Sequence, residues 1–118
     1  MSETQSVIGA MHKAGIPIVA GSDTGLVGYG LLREIEIYEQ SGMTPLEANQ
    51  SATIVPARAM HLDADSGTVE AGKRADLILV DGNPLENIGD LRKVSRVVAN
   101  GRLYESAKLW KSVGFHPW

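Results

Sequence analysis

The run Ile16-Pro17-Ile18-Val19-Ala20, bracketed by Gly15 and Gly21, restricts the fold more than any other feature of this chain. Five residues without a polar side chain leave no face for water, so the run reads as a strand buried on both sides. Strands of that kind belong to parallel sheets covered by helices. The chain has 118 residues, whereas a closed (β/α)8 barrel needs about 200 or more. Any barrel signal here can therefore belong only to part of one.

The flanking patterns support an α/β reading. Ser6 to Lys13 carries Val7, Ile8, Met11 and Ala14 at helical spacing, with Gly15 as a stop. After the glycine-rich stretch from Gly21 to Gly30, Leu31, Leu32, Ile35 and Tyr38 set out a second apolar helical face that Gly42 closes. Thr44-Pro45-Leu46-Glu47 then combines an N-cap hydroxyl, a proline at the first helical position and a glutamate at the third, which is a capping box. That helix is expected to run to about Ile54, since the residue before Pro56 is pushed out of the α region. Pro56 to His61 suits another turn or two of helix.

Near Asp63 the periodicity changes. Ala75 to Val80 and Val94 to Ala99 read as strands, and Asn100-Gly101 is a two-residue hairpin signal leading into Arg102-Leu103-Tyr104. Asp81 to Pro84 is a loop. The tail from Glu105 to Val113 suits a short helix. The expected organisation is a helix, strand and helices segment over 1–62, strands over 63–105 and a helical tail over 106–118, together one compact α/β unit with an α+β mixture.

Composition narrows the function. The absence of cysteine excludes a disulfide framework, thiol chemistry and Cys-based metal sites. A net charge of −3 provides no pull toward nucleic acid or anionic membrane. Met1 to Gln5 lacks the basic and apolar regions of a signal peptide, and no apolar run approaches the roughly 20 residues that span a bilayer. The expectation is a soluble cytoplasmic protein without nucleic-acid or membrane partners.

Among residues with chemical potential, Asp23 stands out. In Gly21-Ser22-Asp23-Thr24-Gly25 it directly follows the buried strand, at the carboxyl end where α/β proteins place their reactive groups. It can ligate a metal and accept a proton from metal-bound water, or it can cap its own loop as aspartates do in turns. Gly67-Thr68-Val69-Glu70-Ala71-Gly72-Lys73 imitates the start of a phosphate-binding loop. Arg74 stands where a hydroxyl residue should be, and a strand follows where a helix should, so a turn between strands is expected.

His12, His61 and His116 are far apart and read as surface or helix-end residues. Asn49-Gln50-Ser51 falls inside a helix, which sets aside glycosylation. Ser22 and Ser66 lack a nucleophile-elbow context. Trp110, Phe115 and Trp118 either anchor a partner or fold back over an exposed sheet or helix face.

Taken in order, four stretches between Ile8 and Glu105 resemble the carboxyl-terminal part of metal-dependent amidohydrolases, in the imidazolonepropionase-like and prolidase-like branch. They are Ala14 to Gly25, Leu32-Arg33-Glu34-Ile35-Glu36 with Gly42 to Ala48, Ala52-Thr53 with Pro56 to Ala59, and Gly67 to Pro84. The resemblance implies a helix-strand-helix portion of a TIM barrel, followed by a small antiparallel sheet from the composite β-sandwich of that family. It places Asp23 after the eighth barrel strand as metal ligand and proton shuttle, with zinc or another divalent metal as cofactor.

Departures from the family pattern bear on activity. Leu32 stands where many members have histidine, and Val55 where an asparagine often caps a helix. The His-x-His pair, the lysine and the other histidines of the complete enzymes have no counterpart here. One carboxylate does not hold a catalytic zinc, which takes three protein ligands plus water.

The reading is an amidohydrolase-like fragment encoded as a short, separate protein and inactive alone. It is expected to be a homodimer or higher oligomer, because its strands keep bare edges. Two functions follow from it. The chain either completes a C–N hydrolase with a complementary amino-terminal chain, or persists as a binding and assembly module.

Overall fold

A computed structural model describes residues 2–23 and 28–116. Helix α1 (Glu3–Lys13) begins earlier than its apolar spacing suggests, because Ser2 and Gln5 form a capping box of their own. It ends where Gly15 N–H donates to His12 O and Ile16 N–H to Met11 O, the paired bonds of a Schellman motif. Helix α2 (Gly30–Gln40) follows, burying Ile35 and Tyr38 while Leu31 faces out.

Helix α3 (Pro45–Gln50) starts at the expected capping box, with Thr44 Oγ1 accepting from Glu47 N–H and Glu47 accepting from Thr44 N–H. It stops at Gln50 rather than near Ile54. The backbone turns through Ser51 to Thr53 and re-enters a helix at α4 (Ile54–Ala59), placing Pro56 in the first turn, where its missing N–H costs nothing.

The carboxyl-terminal half is a three-stranded antiparallel sheet in the order β1 (Leu77–Val80), β2 (Val94–Ala99), β3 (Arg102–Glu105). Register runs Leu77 opposite Val98 and Val98 opposite Leu103, with a shift between Leu79 and Val80. Asn100 and Gly101 both have positive φ, 50° and 76°, the type I′ geometry that this dipeptide favours. Helix α5 (Ser106–Ser112) packs back on β2 and β3.

A 3-10 helix, Ile88–Arg92, links β1 to β2. It seats Ile88 and Leu91 in the main core with Ile35, Tyr38, Met43 and Ala48. No apolar periodicity of its own announces this turn.

The largest departure concerns the apolar run at 16–20, which forms no ladder. It is extended, but among the described residues only the Ile16 and Ala20 N–H groups and the Val19 carbonyl have polar partners, Ala20 N–H donating to Ser51 O at 2.8 Å. Ile16 and Val19 are 46% and 44% exposed, while Ile18 and Ala20 pack against the core. A strand buried on both faces needs neighbours on both edges, and the described residues supply none.

The surface area carries the same message. The chain exposes 8254 Å², whereas a folded monomer of 12.6 kDa exposes about 6200 Å². Among the described residues both outer strands of the sheet keep a free edge, and Ile78 and Leu103 are more than half exposed. Among the described residues no helix is long and apolar enough to cross a membrane.

Candidate functional site

Asp23 stands at the carboxyl end of the 16–20 segment, exposed and at φ 36°. Non-glycine residues enter that region rarely, aspartate among the more tolerant, and such positions gather at functional sites. Two different elements hold the backbone just before it. Ala20 N–H donates to Ser51 O after α3, and Gly21 N–H donates to Glu34 Oε1 on α2 at 3.1 Å.

Glu34 is itself oriented by Tyr38, one helical turn along, whose hydroxyl donates to the same Oε1. Burial, and then the bond to Glu34, push the Tyr38 phenol well above its ordinary range. It therefore stays a donor throughout the working range of any protein.

The spacing of Glu34 and Tyr38 puts them on one helix face, the signal by which sequence reasoning could have paired them. The apolar spacing by itself marks Tyr38 only as part of a buried face. Glu34 lines a cleft of about 350 Å³ with Gly21, Ser22, Tyr29, Arg33 and Ile37, while Tyr38 is buried in the core behind it. Thr24 and Gly25, the rest of the Asp23 motif, lie outside the described residues, as does Trp118.

On the opposite flank of α2, Glu36 lies between two cations. Its Oε1 is 2.8 Å from Arg92 Nε and its Oε2 2.9 Å from Arg33. Arg92 also stacks over the Tyr29 ring at 4.7 Å. The network ties the 3-10 helix to α2 beside the cleft. Leu32, the position where a histidine was looked for, packs against the core.

The histidines do not converge. His12 meets Glu47, Nε2 to Oε2 at 3.5 Å, and lines a cavity of about 460 Å³ with Ile16 and Val55 at the amino end of the 16–20 segment. His61 closes α4 with a φ of 57°, and His116 is in the exposed tail. In the aromatic tail Trp110, on the helix that packs against β2, meets Phe115 edge to face at 5.9 Å, and both rings stay partly exposed, Phe115 at 62%.

The phosphate-loop imitation has a structural use. Its loop joins the end of α4 to β1, so it is not the turn between two strands that the sequence suggested. Lys73 Nζ donates to Asp63 O at 2.7 Å and Thr68 Oγ1 at 2.6 Å and pairs with Glu70 at 3.0 Å, with its side chain only 12% exposed. All three ammonium donors are used internally, which leaves none for phosphate.

Lys73→Met, which keeps the stem but not the charge, is expected to cost about 1 kcal/mol, because it removes two hydrogen bonds and an ion pair made by a side chain that is itself only 12% exposed. Arg74→Ala, at an exposed pair with Asp76, should stay within about 0.5 kcal/mol. Urea unfolding of both variants checks the contrast.

A sequence profile described as the Amidohydrolase family matches residues 1–104. The ochratoxinase of Aspergillus niger is 35% identical over 107 residues, covering 90% of this chain and 22% of that protein. The imidazolonepropionase of Thermoplasma volcanium is 30% identical over 105 residues, covering 83% of this chain and 26% of that protein. The crystal structure of a Xaa-Pro dipeptidase with bound methionine in the active site aligns with a TM-score of 0.79 at 35% identity, covering 86% of this chain and 25% of that one. The chain thus spans about a quarter of the length of the relatives it matches.

Members of this family are generally metal-dependent. Among the described residues, however, no group of three or more His, Cys, Asp or Glu side chains converges on a point. A catalytic zinc takes three protein ligands, so the described residues do not by themselves fit a resident metal. Sequence match and fold nevertheless agree, and the chain belongs to the amidohydrolase family.

Proposed function

We propose that this chain is a hydrolase-family segment, not catalytic alone, that contributes Asp23 to a metal centre whose other ligands lie on complementary sequence. The substrate class is a C–N bond in a cyclic amide or dipeptide-like molecule, in keeping with relatives named imidazolonepropionase and Xaa-Pro dipeptidase. The observation that carries the reading is an exposed carboxylate at the end of an extended apolar segment with both edges largely unpaired.

The unpaired segment fits the interior of a larger sheet rather than a surface. The excess of about 2000 Å² over a compact monomer is of the size that an obligate interface buries. The site chemistry then divides between chains, with Asp23 offering one oxygen ligand of the hard or borderline type that suits zinc or another divalent ion.

The test combines metal analysis with native mass. The chain alone is expected to carry no stoichiometric zinc. Mixed with the amino-terminal three-quarters of a family member, it is expected to form a complex holding zinc, and Asp23→Ala should weaken that zinc by about 100-fold or more. Zinc bound one-to-one by the isolated chain, or retained unchanged by the Asp23→Ala complex, sinks the proposal.

The free edges of β1 and β3 and the exposed Ile78 and Leu103 favour a second reading, a self-associating module without catalysis. A homo-oligomer that refuses the complementary segment supports that reading instead. A cytoplasmic location remains part of the proposal and is checked by fractionating cells that express the chain.

A further inference from the structure

Glu34 is a half-satisfied, partly buried carboxylate. Its Oε1 accepts from Gly21 N–H and from Tyr38, while Oε2 is buried and has no hydrogen-bond partner among the described residues. Burying an acceptor without a donor is costly, and a neutral amide side chain here, which keeps one accepting oxygen, is cheaper for folding alone than a carboxylate. The residue is therefore poorly explained by stability. Its position suggests another use: the one backbone group it holds lies two residues before Asp23, in a turn where Asp23 itself takes a positive φ.

We infer that Glu34 is a positioning residue for Asp23, its Oε1 fixing the Gly21 peptide and Tyr38 fixing Oε1, so that the backbone leading into Asp23 is held in place. The importance of that hold rests on the proposed role of Asp23. The restraint itself does not. Ser51 anchors Ala20 independently, so loss of Glu34 should release the turn from Gly21 onward and leave the residue before it in place. Pre-organisation of this kind matters because a ligand held loosely has to be ordered on binding, at a cost to affinity.

Amide hydrogen exchange on the chain itself provides the test. Glu34→Leu is expected to speed exchange at Gly21 by about tenfold or more, while Ala20 and the β2 amides stay within about twofold. Glu34→Gln, whose side-chain oxygen still accepts, should return Gly21 to within about threefold of the parent. Tyr38→Phe should loosen Gly21 in the same direction and carries the test if Glu34→Leu does not fold.

An unchanged Gly21 rate in Glu34→Leu overturns the inference, as does equal acceleration at Ala20 and in β2, which marks general destabilisation. Failure of Glu34→Gln to rescue overturns it too. None of these readouts involves metal. The role of Asp23 stands or falls separately on zinc retention by the Asp23→Ala complex.

Discussion

Gly67→Ala is expected to lower stability by about 3 kcal/mol, a large share of the total stability of a marginal domain. A Cβ at this position would lie 2.8 Å from Ala57 Cβ and 3.0 Å from Ile54 Cα, and φ is +91°. Two costs combine there, the left-handed backbone and a collision with α4, whose Ile54 and Ala57 are buried under the loop.

Gly72 separates them. Its φ is +90°, yet nothing lies within 4 Å of an added Cβ. Gly72→Ala should therefore show only the conformational part, about 1–2 kcal/mol. Urea midpoints for the pair measure the collision directly, and equal losses would show that the loop moves off α4 without cost.

Glu36→Gln is expected to cost about 2 kcal/mol at neutral pH, since Glu36 is 14% exposed and its removal leaves two guanidinium groups without a counter-charge. The effect should depend on pH. The Arg92 hydrogen bond, opposed by burial and reinforced by Arg33, holds the Glu36 carboxyl below its usual 4.5. A group whose folded value is depressed contributes stability that is present above the unfolded value and lost as pH falls through the folded one.

The gap between the parent and Glu36→Gln should thus be full above about pH 5 and close as the pH drops below 4.5. Asp90, held low by Lys93 and the Asn83 N–H, titrates with the same sign but is common to both proteins and cancels. A gap that stays constant down to pH 3 contradicts the assignment. Chemical denaturation at a series of pH values measures it.

Legibility in the sequence followed the range of the interactions. The Thr44 capping box, the Asn100-Gly101 turn and the β2 span are short-range and appear where their residues say. Asp23 was legible because it follows an apolar run bracketed by glycines. The grip of Glu34 and Tyr38 on the backbone before Asp23 was not, since it joins positions 13 to 19 residues apart. The Arg92–Glu36 pair spans 56 residues, and no local pattern announces a contact of that kind.

The same division explains the lysine in the phosphate-loop imitation. Its motif was readable, and its rejection followed from Arg74, but the three donors of Lys73 find Asp63, Thr68 and Glu70 only once the loop has closed.

By itself, the sequence determined the local elements, the helical-to-strand switch after Asp63 and the likeness to a larger enzyme, because propensity, capping and turn chemistry act over a few residues. Only the tertiary structure decided what becomes of the apolar run at 16–20. Its composition specifies burial on both faces, but pairing needs neighbouring strands. The described residues provide single contacts, the Ser51 carbonyl to Ala20 and the Glu34 carboxylate on α2 to Gly21, and no strand on either edge, so a segment written as the interior of a sheet lies half exposed.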